Sequence, residues 1–154
     1  MTPQELVNAF TRAAEQRNGE AFARLFTPDG VYHDVFYGEF KGTEKIAGMV
    51  NDWFYRHATD LRWDMLHPVS DGERLYTHYL FSYVSTMPEA GGKRVGFEGV
   101  SIMTLKDGKI AHYREVANTG PGLLDMNFPP ERVAKILQKQ GQLVRAQPAF
   151  ARHL

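Results

Sequence analysis

The chain has 154 residues, 43% of them hydrophobic, with ten Phe and seven Tyr, the size and make-up of one domain around one packed core. Lys plus Arg balances Asp plus Glu at 18 each, so no whole-chain field draws a phosphate backbone or an anionic lipid surface, and neither nucleic acid nor membrane is an expected partner. Absence of cysteine excludes disulfides and thiolate chemistry; with no basic-then-apolar leader and no run of ~18 apolar residues, a cytoplasmic location is expected.

Thr2-Pro3-Gln4-Glu5 has the form of a capping box with proline at the first helical position. Leu6, Val7, Phe10, Ala13 and Ala14 then repeat with helical spacing, which predicts a first helix. Asn18-Gly19 ends it, and Ala21, Phe22, Leu25 and Phe26 predict a short second one, stopped by Thr27-Pro28-Asp29-Gly30. A first strand is expected over 31–37, closed by Gly38. Gly42-Thr43 opens a third helix, in which Ile46, Val50, Trp53, Phe54 and His57 share a face.

From Leu61 the hydrophobic period changes from helical to alternating, which predicts strands over 61–69, 74–86, 94–105 and 110–118. Ser70-Asp71-Gly72 and Lys106-Asp107-Gly108 read as hairpin turns, because Asp-Gly tolerates positive φ. Residues 88–93, with Gly91-Gly92, read as a longer loop. Gly120-Pro121-Gly122 and Pro129-Pro130 break the chain before a last helix, whose stripe is Val133, Ile136, Leu137, Leu143 and Val144. Helices followed by a run of antiparallel strands give an α+β class, with the helices on one side of a strongly bent sheet.

The pieces Leu25-Phe26-Thr27-Pro28-Asp29, Val31-Tyr32-His33-Asp34, Gly42-Thr43, Gly96-Phe97-Glu98-Gly99-Val100-Ser101 and Asp107-Gly108-Lys109-Ile110, in this order and spacing, resemble the SnoaL-like branch of the NTF2-like superfamily. The resemblance runs from about Pro3 to Asn118. It implies a cone-shaped curved antiparallel sheet wrapped around three N-terminal helices, a pocket in the mouth of the cone, and a homodimer paired sheet to sheet. Residues 1–118 are then the SnoaL-like domain, and 119–154 a helical extension packed on it or on the partner subunit. This superfold hosts isomerases, cyclases, dehydratases and epoxide hydrolases as well as proteins without catalysis.

Asp34 matches the carboxylate that abstracts a proton next to a carbonyl in ketosteroid isomerases, a related branch. That branch stabilises its oxyanion with a tyrosine and a protonated aspartic acid, whereas this chain has Phe10 and Ser101 at the matching places, which argues against ketosteroid isomerisation. The other reading of Asp34 is a hydrogen-bonded cap at a strand end. Glu115 matches the acid/base carboxylate of SnoaL-type cyclases; an ion pair with Arg94 or Arg114 is its structural alternative.

Tyr79 and Tyr113 are candidates for hydrogen-bond donors, and Trp53, Phe36, Phe81, Ser101 and Met103 for the substrate lining, with His33 beside Asp34. His33 and Asp34 adjoin on a strand and face opposite ways, and His57 reads as a polar tip at a helix end. His67, His78 and His112 share neither spacing nor parity, so no metal is expected, and no nucleotide or dinucleotide motif calls for a cofactor. Two functions remain open. One is a cofactor-independent isomerase, dehydratase or cyclase in which Asp34, Glu115 and Tyr79 act on a small apolar substrate. The other is a protein that binds a small ligand, or assembles as a dimer, without catalysis.

Overall fold

The computed structural model describes residues 1–154. Helix α1 spans Pro3–Glu15, and its capping box is closed: Glu5 N–H donates to Thr2 Oγ1 at 3.2 Å and Thr2 N–H to Glu5 Oε2 at 2.7 Å. Helix α2 is Gly19–Ala23, capped by Asn18, and ends before the expected Leu25 and Phe26. Leu25 lies in the turn that follows, and Phe26 enters the sheet. Strand β1 is Phe26–Asp34, with a register shift between Phe26 and Val31 where Pro28 has no N–H to give to a neighbour.

The expected strand over 31–37 is cut at Asp34, whose carboxylate takes the amides of Phe36 and Tyr37 and turns the chain into β2, Gly38–Lys41. Helix α3, Thr43–Gly48, continues as one wide π turn over Met49–Trp53. That extra residue shifts the helical phase. Ile46, Met49 and Val50 are buried, and Trp53 packs at the edge of the core, with Tyr37 and Phe40 at 5.2 and 5.6 Å between ring centres.

Strands β3 (Ala58–Ser70), β4 (Arg74–Ser85), β5 (Arg94–Lys106) and β6 (Lys109–Asn118) follow as a meander. Its last turn carries Asp107 and Gly108 at φ of 52° and 76°, the left-handed pair a two-residue hairpin requires. The segment expected as a loose loop holds a 3-10 turn, Pro88–Ala90, that buries Ala90. The sheet order is β2-β1-β6-β5-β4-β3. All pairs are antiparallel except β1 with β6, which run parallel because α3 carries the chain to the far edge and three reversals bring β6 back beside β1.

The sheet folds over α1, α2 and α3, and 21 buried residues, Phe10, Phe22, Tyr32, Trp63 and Tyr113 among them, make the main core. A separate cluster of five, Val95, Leu123, Met126, Phe128 and Val133, fastens α4 (Gly120–Asp125) and α5 (Pro130–Arg145) to the rim of the sheet. The result is a mixed α+β fold of the NTF2-like kind. No helix is long and apolar enough to cross a membrane.

Candidate functional site

A cavity of about 310 Å³ opens between the concave face of the sheet and the α4–α5 segment, and 16 of its 20 lining residues are hydrophobic. Alternation on the strands decides which side chains reach it. Tyr32 and Asp34 point inward from β1, Trp63 from β3, Tyr79, Phe81 and Tyr83 from β4, Phe97 from β5 and Glu115 from β6. Exposure gives depth: Tyr32, Tyr79 and Trp63 are at most 4% exposed and Asp34 is 8%, whereas His57 and Arg132 are open to solvent. Asp34 sits toward the floor, Glu115 is half-buried, and the two basic side chains are at the mouth.

Asp34 serves both readings of the sequence at once. Its Oδ2 accepts from the amides of Phe36 and Tyr37, each at 2.9 Å, and its carboxyl still borders the cavity. Burial raises its pKa, and those two N–H donors pull it back by favouring the ionised form. Glu115 makes no ion pair with Arg94 or Arg114; Arg94 instead binds Asp60 and Ser82, and Arg114 binds Gln147. Glu115 Oε2 accepts from the Tyr113 hydroxyl at 3.0 Å. Because that phenol has one proton, the Ser101 hydroxyl, 2.9 Å away, donates to it in turn.

Burial first, and then the charge of Asp34, push Glu115 up to about 8, against the pull of the Tyr113 hydroxyl. The two amide donors favour the ionised form of Asp34, while the hydroxyls of Tyr113 and Tyr79 pull Glu115 back only part of the way. Tyr79 lies close to both, and burial followed by the charge of Glu115 raises its pKa, so its hydroxyl stays protonated. That buried hydroxyl and the buried Trp63 indole N–H have no hydrogen-bond partner. Both belong to the cavity wall that also carries Asp34 and Glu115.

The sequence-derived candidates divide by location. Asp34, Glu115, Tyr79, Phe36 and Phe81 border the cavity. Tyr113, Ser101 and Met103 do not: they are fully buried behind its wall, with Tyr113 stacked on Tyr32 at 4.3 Å, so the first two reach the cavity only through Glu115. Trp53 packs against the main core rather than the cavity and carries Arg56 over its ring at 4.1 Å. His33 is on the opposite face of β1 from Asp34, paired in register with Glu39, and is not a lining residue.

Leu123, Met126, Phe128, Arg132 and Ile136 supply a wall that no strand parity foretold. The apolar stripe of the last helix, which needed some surface to cover, was their one signal. The Tyr83 hydroxyl contacts Met126 Sδ at 3.1 Å and ties this wall to β4. No three His, Asp or Glu side chains are grouped to hold a metal ion.

The fold recurs in solved structures. A hypothetical protein of ketosteroid-isomerase-like fold from Catenulispora acidiphila DSM 44928, in complex with trimethylamine, is similar at a TM-score of 0.74 and 17% identity, over 84% of this chain and 98% of that one. TsrD from Streptomyces laurentii follows at 0.67 and 16%, over 80% and 92%. An epoxide hydrolase of M. tuberculosis described as LEH-like is similar at 0.64 and 17%, over 80% and 87%. No curated protein matches the sequence. The model of the SnoaL-like domain matches residues 7–113, from the first helix to the strand that carries Glu115 two residues later. That match covers well over half of the sequence and the fold agrees with it: the chain belongs to the SnoaL-like family, whose fold is built around a small-molecule pocket.

Proposed function

We propose that this protein is a cofactor-independent enzyme that transfers protons on a small, mostly apolar organic molecule bearing a carbonyl group, as an isomerase, a dehydratase or an aldol-type cyclase. Asp34 removes a proton next to the carbonyl, and protonated Glu115 with the Tyr79 hydroxyl donates to the carbonyl oxygen as negative charge develops there. These donors come from β6 and β4, so the absence of a tyrosine and an acid at Phe10 and Ser101 does not leave the oxyanion unsupported. Ser101 and Tyr113 position Glu115 and touch no substrate. Residues 119–154 form the lid of the site, and the outer face of the sheet pairs two such chains as a homodimer.

The observation that carries this reading is the buried Tyr79 hydroxyl, set beside the carboxyls of Asp34 and Glu115 in the wall of an apolar cavity. Asp34's bonds to its own turn support the competing reading, a binding protein in which the aspartate is structural.

Exchange of α-protons separates the two. Small cyclic ketones incubated with the protein in D2O are expected to lose α-protons, as read by NMR, faster than buffer allows. Asp34→Asn should lower the rate by about 10²- to 10⁴-fold, the usual contribution of a positioned base. No exchange above buffer with any ketone that NMR shows to be bound would leave the binding reading.

A further inference from the structure

The two basic residues of the cavity have no place in that chemistry. Arg132, from the first turn of α5, lies with its guanidinium over the Phe128 ring at 3.7 Å. It is in none of the molecule's four ion pairs, which involve Arg24, Arg62, His78 and Arg94, and its side chain makes no hydrogen bond. Stacking occupies the face of a guanidinium and leaves its N–H edge free. His57, from the chain just before β3, is the only other basic residue on the cavity wall. Its imidazole offers a further polar contact at the mouth.

A cation meant to neutralise Asp34 or Glu115 would pair with one of them. Arg132 instead remains at the solvent end, on an aromatic shelf that is itself 91% buried and part of the lid cluster. The cavity is thus polarised, with its carboxyls carried by the sheet and Arg132 at the solvent-exposed end among otherwise apolar walls. An anionic group is repelled by the floor and attracted by the mouth, so a ligand with one anionic end can enter in one orientation only.

We propose that Arg132, with His57, is an anion-recognising rim, and that the ligand of this cavity is an apolar molecule carrying one carboxylate, held at the mouth while its uncharged body reaches Asp34 and Glu115. This assignment rests on the cavity being the ligand site, as proposed above, and adds the substrate class: apolar acids rather than neutral hydrocarbons or amines. A carboxylate and a sulfonate present the same anionic oxygens to a guanidinium edge.

Two fluorescent probes differ by that group alone: anilinonaphthalenesulfonate and the uncharged phenylnaphthylamine. The wild-type chain is expected to bind the sulfonate at least about tenfold more tightly, an advantage of roughly 1.4 kcal/mol. Arg132→Met, whose apolar stem still covers Phe128, should bring the two dissociation constants together while the uncharged probe binds within about twofold of wild type. Arg132→Lys should keep part of the preference. Equal affinities in the wild type, a preference unchanged by Arg132→Met, or equal weakening of both probes by that substitution would each overturn the proposal, the last by showing that Arg132 only shapes the lid. Proton transfer could fail in Asp34→Asn, or be absent altogether, with the probe preference intact, so this test is independent of the catalytic one.

Discussion

At the scale of single residues, the pH dependence of this protein rests on Glu115. Its carboxyl holds a proton in the folded chain up to about pH 8, against the 4.5 of an ordinary glutamate, and the folded state therefore binds more protons than the unfolded one between those values. Stability from this group is full below the lower value and falls as pH rises through the upper one; the raised Asp34 acts in the same direction. Glu115→Gln removes the ionisation, so unfolding in urea at about pH 9 should show the variant to be more stable than wild type, with a flatter profile down to about pH 5. Gly99 is the other sensitive position. It faces Tyr79 across the β4–β5 ladder, and a Cβ there would come within 2.7 Å of the Tyr79 hydroxyl and 2.5 Å of the Val116 carbonyl oxygen. Gly99→Ala is expected to cost about 1–3 kcal/mol by overpacking and to slow proton exchange by displacing Tyr79, both measurable on one purified variant. That Asp34, Glu115 and Tyr79 border the cavity was legible in the sequence because strand parity needs only a register. That Tyr113 and Ser101 lie behind its wall was not, since parity says that a side chain points inward but not whether another ring stands between it and the cavity.

At the scale of elements, hydrophobic period and turn chemistry specified α1, the meander of β3 to β6 and the last helix to within a few residues. Two places were only partly legible for physical reasons. A π turn leaves no trace in a hydrophobic pattern that is already apolar on most sides, so the wide turn over Met49–Trp53 was not foreseen. The bend at Asp34 was one of two readings open for that residue, because whether a carboxylate takes backbone amides is not settled by a single aspartate. The α4–α5 segment was legible as an element in search of a surface, but not which surface. Main-core residues come from nowhere beyond β6, so a chain ended after Thr119 should still fold and give a cooperative melt. It would lose the Leu123, Met126 and Phe128 wall, and its affinity for the uncharged naphthylamine is expected to fall by about tenfold or more by fluorescence titration.

At the scale of the whole molecule, the convex side of the sheet remains to be covered. Tyr76, Leu80, Val100 and Val116 are 39 to 59% exposed there, and the register joins them into one patch: Val100 stands opposite Val116 and beside His78, between Tyr76 and Leu80. An apolar patch of this kind on a chain of zero formal charge favours self-association. Light scattering at micromolar concentration is expected to give twice the mass of the chain, and Val116→Lys to give the single mass with the fold unchanged by circular dichroism. The division of the interior into a cluster of 21 residues and one of five bears on time as well as architecture. Few polar ties reinforce the smaller one, chiefly Thr119 to Gln140, Asn127 to the Glu89 carbonyl and Arg114 to Gln147. Amides of α4 and α5 should accordingly exchange with deuterium through a sub-global opening well below the cost of unfolding the sheet. With residues 119–154 as the proposed lid, the dissociation rate of a bound molecule is expected to track the exchange rate of those amides across variants of the smaller cluster.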